Sequence, residues 1–230
     1  MKIRQSLFHA SLAITIAAFA GQPAHAQTAT PGFGTDKRAP KGTPFTLPAG
    51  IELAGPLFPA DDDGNCPRAR TATVGSGLMV RRCVPVRNRT GAPVTVIFPA
   101  GLVIVSASEG FQNGLLVEQQ VLRIPPTTNG GPGRLLDEKG KPTDIVNIPL
   151  HVYCLNKDRE IPEGGGQYAF GPVSQHAGLA ELYAFTADKD FKGDGQRVEV
   201  LQEVVWEVIR TGRFTAKDRA DLLRGYVADA

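Results

Sequence analysis

The β-rich half of the chain ends in the run Ile145-Val146-Asn147-Ile148-Pro149-Leu150-His151-Val152-Tyr153-Cys154-Leu155. Most of its residues are Val, Ile or Leu, a composition typical of a strand. The pattern changes directly after Cys154, where apolar residues begin to recur at helical spacing. We therefore predict a β-rich body over residues 49–156 and a helical C-terminal part, packed on that body, over residues 157–230.

Five further candidate strands precede this run and are separated by Gly, Pro and Asn. They lie at 51–58 (broken by Gly55-Pro56), 70–80, 93–99, 101–107 and 115–124. Several short strands at this spacing favour a sandwich or barrel over a parallel α/β sheet. Residues 125–142 form a polar insert, and a loop of that length is either mobile or functional.

Three helices are predicted after the boundary, at 175–186, 198–211 and 215–226. Gly212 is a natural stop for the second helix. Thr215 and Asp218 have the spacing of a capping box that opens the third. The predicted fold class is α+β, a β-sandwich-like body of short strands followed by a C-terminal helical segment.

The first 26 residues have the features of a secretory signal peptide. Lys2 and Arg4 precede an apolar stretch at 7–20, and the small-x-small sequence at 24–26 is typical of a cleavage site. Residues 27–48 are rich in Thr, Gly, Pro and Ala and are interpreted as a flexible arm. We expect an exported protein of the periplasm, cell surface or extracellular space, without a membrane span in the mature chain.

Composition and charge narrow the classes of function. The 230 residues include 25 basic and 23 acidic ones, and cleavage of the leader removes Lys2 and Arg4. The mature chain then has 23 of each and no net charge, which argues against nucleic acid as a partner. No established catalytic, haem or nucleotide-binding motif is present. We expect a non-enzymatic interaction or structural protein that has no cofactor and whose protein or surface partner is unknown.

The chain has three cysteines, and an oxidising compartment favours a disulfide between two of them. Cys66 and Cys83 enclose 16 residues, and closing that loop would stabilise the fold by about 3 kcal/mol. Pairing of either one with Cys154 stays open. The unpaired cysteine must be buried, paired between molecules or engaged in another covalent bond.

Two segments of the chain suggest that Cys154 forms a covalent bond of this kind. They are Tyr153-Cys154-Leu155-Asn156 on the last strand and Leu201-Gln202-Glu203-Val204-Val205-Trp206 on the second helix. Together they resemble the motif pair of the thioester domains of bacterial surface adhesins. In that family the cysteine sulfur condenses with the glutamine amide, and a nucleophile on a target surface later opens the buried thioester. The resemblance implies that Cys154 donates the sulfur, that Gln202 donates the acyl group, and that Tyr153 and Trp206 shield the bond. The alternative is a buried core thiol at Cys154 and an exposed helix residue at Gln202.

A second candidate site is the loop that joins the first two predicted helices. Asp188, Asp190, Asp194 and Glu199 have part of the spacing of an EF-hand calcium loop. Lys192 stands where an oxygen ligand is needed, so a solvated helix–helix turn is the main alternative. A calcium-dependent binding module is therefore the weaker functional hypothesis.

The remaining alternative is an exported enzyme whose site has the insert at 125–142 as a lid. Its candidate groups are His151 and His176, the two histidines that the mature chain retains. His151 and Cys154 point to opposite faces of a strand, so they cannot form a Cys-His pair without a bulge.

Overall fold

The computed structural model describes residues 30–127, 139–140, 143–162 and 164–227. Within them lie ten strands and three helices. The strands are β1 (Gly42–Thr43), β2 (Ile51–Leu53), β3 (Phe58–Pro59), β4 (Val80–Asn88), β5 (Val94–Phe98), β6 (Leu102–Ser106), β7 (Gly114–Leu115), β8 (Gln120–Ile124), β9 (Val146–Cys154) and β10 (Tyr168–Ser174). The helices are α1 (Ala177–Thr186), α2 (Gly195–Thr211) and α3 (Ala216–Val227). The predicted signal peptide and most of the insert at 125–142 lie outside the described residues.

Eight strands form one curled antiparallel sheet. Seven of them follow the order β1-β10-β6-β7-β9-β4-β2, and β3 also pairs with β4, while β5 and β8 form a separate two-stranded ribbon. The sheet curls so far that Leu57, just before β3, donates its N–H to the carbonyl of Tyr168 on β10 at 3.1 Å. The predicted α+β class, rich in sheet and with helices mainly at the C-terminus, is confirmed. The sandwich-like arrangement stays a prediction.

Strand β9 is buried on both faces, which explains its almost continuous apolar sequence. Val152 and Cys154 belong to a core that the curled sheet shares with the β5–β8 ribbon, which we call the inner core. Tyr153 and Leu155 point the other way, into a core shared with the three helices, which we call the helix-side core. One strand therefore separates two hydrophobic cores.

The strand predictions were wrong in three places. The predicted strand at 70–80 lies too early, because the strand is β4 at Val80–Asn88, whose Arg81, Pro85 and Arg87 obscured it. The candidate at 115–124 is two strands, β7 and β8. The segment after Cys154 contains β10, which pairs with β6 and was not predicted. Long-range pairing decides these elements, and local composition does not report it.

The helix predictions agree with the structure more closely. Helix α2 begins three residues before the predicted start because the Asp194 side chain accepts the N–H of Arg197 at 3.0 Å. Gly212 ends it in the left-handed conformation, with φ of 72°. At the start of α3, Asp218 accepts the N–H of Thr215 at 2.7 Å and donates its own N–H to the Thr215 hydroxyl at 3.3 Å. The predicted capping box is thus present, with Asp in place of Glu.

Part of the segment interpreted as a flexible arm packs on the domain. Phe33 is buried in the helix-side core, and Gly34 donates its N–H to the carbonyl of Leu155 at 3.0 Å. Strand β1 pairs with β10. Residues 30–48 therefore form part of the folded unit.

The disulfide joins Cys66 and Cys83, with their Cα atoms 5.6 Å apart. It connects the turn at 61–65 to β4, and it leaves Cys154 as a free, buried thiol. The favoured pairing is confirmed. None of the helices in the described ranges combines the length and apolar character needed to cross a bilayer.

Candidate functional site

The side chain of Gln202 on α2 contacts the backbone of Cys154 on β9 through two hydrogen bonds. Its Oε1 accepts the N–H of Cys154 at 2.8 Å, and its Nε2 donates to the carbonyl of Cys154 at 3.0 Å. Gln202 is only 3% exposed. The expectation that it is an exposed helix residue is therefore wrong, and the two residues of the sequence motif lie in direct contact.

The end of the β4–β9 ladder explains this contact. The pairing of β4 with β9 stops at Val80 and Val152, two residues before Cys154. The N–H of Leu155 bonds to the carbonyl of Asn113 on the β7 side, so the polar groups of Cys154 point to the opposite side. The amide of Gln202 takes the place that a further β4 residue would occupy and satisfies both groups.

The thiol of Cys154 lies in the inner core, and burial raises its pKa to about 12. A thiol with this pKa stays protonated at neutral pH and reacts slowly with reagents from solvent. Trp206 packs against the same core. It follows Gln202 by one helical turn, so both side chains lie on the same side of α2. Cys154, Gln202 and Trp206 thus form a group, which we call the Cys–Gln junction.

Tyr153 does not join this group, although the sequence motif places it next to Cys154. It faces the helix-side core, and its hydroxyl lies 2.6 Å from the hydroxyl of Ser76. Adjacent strand residues point to opposite faces of a sheet. Tyr153 therefore lies on the opposite side of the strand from the thiol, whereas Trp206 packs against the core that contains the thiol.

Two asparagines hold the backbone behind the junction. Asn156 donates to the carbonyls of Gly32 at 3.0 Å and Gly34 at 2.8 Å, and its Oδ1 accepts the N–H of Asn113 at 2.9 Å. Asn113 also donates to the carbonyl of Gly32 at 3.1 Å. Three of these four hydrogen bonds are buried, and the one to Gly34 is partly buried; unpaired polar groups would be costly in such positions. The end of β9 is consequently held rigidly in front of α2.

A surface groove of about 1420 Å³ runs along α2 beside the junction. Met79, Lys157, Gln202, Glu203 and Trp206 are among the residues that line it. Lys157 lies with its Nζ 4.6 Å from the centre of the Trp206 ring and 3.1 Å from Oε2 of Glu203. The sequence reasoning missed Lys157, whose only signal is its position three residues after Cys154.

The four predicted calcium ligands serve other purposes in the structure. Asp188 pairs with Lys189, Asp190 accepts the N–H of Lys192 at 2.9 Å, and Asp194 is the N-cap of α2. Glu199 lies inside α2 and not in a loop. In the part of the chain that the structure describes, no three Asp, Glu, His or Cys side chains converge on a possible metal position. Nothing in this geometry supports the calcium hypothesis, which stays a prediction.

His151 and His176 each make a hydrogen bond to the backbone outside the Cys–Gln junction. The Nε2 of His151 is 2.8 Å from the carbonyl of Gly64. His176 is the N-cap of α1, because its Nδ1 accepts the N–H of Leu179 at 3.2 Å. Burial lowers the pKa of both imidazoles. The enzyme alternative gains no specific observation from either residue.

Comparison with protein-family models found no matching family. Comparisons with curated proteins and with solved structures found no significant relative.

Proposed function

We propose that this chain is an exported, non-enzymatic interaction protein of the periplasm or cell surface, and that Cys154 and Gln202 form an internal thioester for covalent attachment to a partner. In this proposal the body is a sandwich-like support for the junction, and the partner is a surface or protein that offers a nucleophile. Adhesion is the corresponding biological activity.

The observation that carries the proposal is the double hydrogen bond between the Gln202 amide and the Cys154 backbone. The amide carbon of Gln202 lies between the oxygen and nitrogen that make these bonds. It is therefore positioned against the residue whose thiol would attack it. Such prior positioning supplies much of the advantage of an intramolecular reaction.

Formation of the thioester exchanges one bond for another and releases ammonia. The Sγ of Cys154 bonds to the amide carbon of Gln202, the carbon–nitrogen bond breaks, and Nε2 leaves as ammonia with the thiol proton. The N–H of Cys154 donates to Oε1, where negative charge develops in the tetrahedral intermediate. In the opening step, an amine on the partner bonds to the same carbon, the carbon–sulfur bond breaks, and the amine proton passes to the sulfur.

Burial of the junction is a second observation that supports the proposal. A thioester survives only where water is kept away from its carbonyl carbon. Cys154 and Gln202 are buried, and Trp206 packs against the core that contains the thiol and lines the groove next to Gln202. A buried acyl group of this kind remains intact until a partner approaches.

The test is the intact mass of the mature protein, purified from an oxidising compartment without reductant. The disulfide lowers the mass by about 2 Da and the thioester by about 17 Da more. Methylamine would open the thioester, free the Cys154 thiol and leave the Gln202 side chain as its N-methylamide, about 14 Da heavier than the unmodified residue. Cyclisation of Gln27, the predicted first residue of the mature chain, also releases ammonia, so the peptide that carries Gln202 must be mapped.

Cys154→Ala is the matched control, because it keeps the backbone groups that bind Gln202 and removes only the sulfur. We expect the deficit at Gln202 in the wild type and its absence in C154A. A wild-type Gln202 peptide of unmodified mass, with an alkylatable Cys154 after unfolding, would refute the proposal.

A further inference from the structure

Lys157 occupies the outer surface of the Cys–Gln junction. Its ammonium group lies over the face of the Trp206 ring, 4.6 Å from the centre, and its Nζ is 3.1 Å from Glu203 Oε2. Glu203 follows Gln202 directly on α2, and Trp206 follows it by one turn. The Lys157 side chain therefore lies over the helix surface next to Gln202 and contacts the residues one and four positions after it.

The groove along α2 is the route by which a molecule from solvent would reach Gln202. Gln202 lines this groove together with Lys157 and Trp206, yet only 3% of its surface is exposed. The atoms between the groove and the amide are thus largely those of the neighbouring side chains. Trp206 has the largest side chain beside Gln202 in the groove, and the Lys157 ammonium group lies over its ring.

We propose that Lys157 is a positioning residue that holds Trp206 closed over the Cys–Gln junction and so controls which nucleophiles reach the acyl carbon. This inference rests on the thioester proposed above. Its contacts are a cation–π interaction and an exposed ion pair, both weak and reversible. The cover opens often enough for a small amine to enter, and it excludes bulky amines.

The chain contains a matched control for this contact. Lys189 lies with its Nζ 4.4 Å from the centre of the Phe185 ring and pairs with Asp188. Like Lys157, it lies over an aromatic ring and pairs with an acidic residue, and its Nζ also donates to the carbonyl of Phe185 at 2.8 Å. It contacts α1 and not the groove, so its removal leaves the route to Gln202 unchanged.

The experiment compares full-length wild type, Lys157→Ala, Lys157→Arg and Lys189→Ala. Each protein is treated with methylamine and, separately, with benzylamine, and mass spectrometry follows addition at Gln202. We expect K157A to react with methylamine about threefold faster, the factor for loss of one exposed cation–π contact. Its acceleration with benzylamine should be larger. K157R, which restores a cation over the ring, and K189A should both react like the wild type.

The outcomes separate this inference from the thioester itself. A wild type without the ammonia deficit at Gln202 refutes the thioester and the cover with it. A wild type with the deficit, but equal rates in K157A and wild type, refutes only the cover. Equal acceleration by K157A and K189A, or equal acceleration towards both amines, also overturns it, because a general loosening of the fold would then explain the rates.

Discussion

Replacement of Gln202 by Glu would test the double hydrogen bond most directly, because the two side chains have nearly the same size and shape. A carboxylate can still accept the N–H of Cys154, but it has no proton to donate to the Cys154 carbonyl. That carbonyl then faces a negatively charged oxygen in a buried position. A protonated carboxyl group, in contrast, can make both hydrogen bonds.

The loss of stability expected for Q202E follows from these two hydrogen bonds. Leaving a buried acceptor unpaired costs about 1–3 kcal/mol, and burial of the carboxylate adds to it. We expect Q202E to lower the free energy of unfolding at pH 7 by about 3 kcal/mol, or about 6–12 °C in Tm for a chain of this size.

The stability of Q202E should depend on pH, in a direction that the pKa of the new carboxyl group determines. The fold favours the protonated form, so the pKa of the new carboxyl group lies above its unfolded value of about 4.3. The folded state therefore binds more protons between the two pKa values, and stability falls as pH rises through that range. The penalty should be full above the folded pKa and should disappear as pH falls to about 4.

The assay is chemical denaturation between pH 4 and pH 8, with every protein carrying Cys154→Ala so that no thioester forms. Gln202→Leu is the matched control, since it removes both hydrogen bonds and cannot titrate. We expect its penalty relative to C154A to be independent of pH. A Q202E penalty below about 0.5 kcal/mol at pH 7, or one as independent of pH as that of Q202L, would refute the reasoning.

Three further predictions concern stability. Replacing both Cys66 and Cys83 by Ala should cost about 2–5 kcal/mol because the closed loop is lost; a denaturation midpoint equal to that of the wild type would contradict it. Phe33→Ala should cost about 3–5 kcal/mol, since this ring is buried in the helix-side core; a loss below about 1 kcal/mol on denaturation would show that residues 30–48 are not part of the folded unit. Because burial lowers the pKa of His176 below its ordinary value of 6.5, the stability from its neutral form is complete above that value and is lost as pH falls through it. His176→Asn keeps an N-cap acceptor without titrating, so its Tm should fall less than that of the wild type between pH 7.5 and pH 5; equal losses would exclude this histidine as the cause.

The fold was predictable wherever a local signal decided it. Helix α2 follows from its apolar spacing and its Gly212 stop, and β9 follows from its apolar run. Strand β4 was misplaced because Pro85 and three arginines interrupt its pattern, although β9 pairs with it along most of its length. Strand β10 was missed because its partner β6 lies more than sixty residues earlier in the chain.

Some residues of the candidate site were likewise predictable from the sequence, and others were not. The resemblance of two short segments to the thioester motif pair selected Tyr153, Cys154, Gln202 and Trp206. It could not select Lys157, since a lysine three residues after a cysteine has no meaning until α2 is placed beside β9. The same placement shows Tyr153 on the far face of the strand.

The sequence by itself determined the β-to-helix order of the chain, the candidate Cys–Gln pair and the odd number of cysteines, since each depends on residue type or short-range spacing. Only the tertiary structure decided that β4 ends two residues before Cys154. That ending leaves one N–H and one carbonyl without a strand partner, and a buried backbone group needs a partner. The amide of Gln202 supplies both hydrogen bonds, which is why two residues 48 positions apart meet at one point.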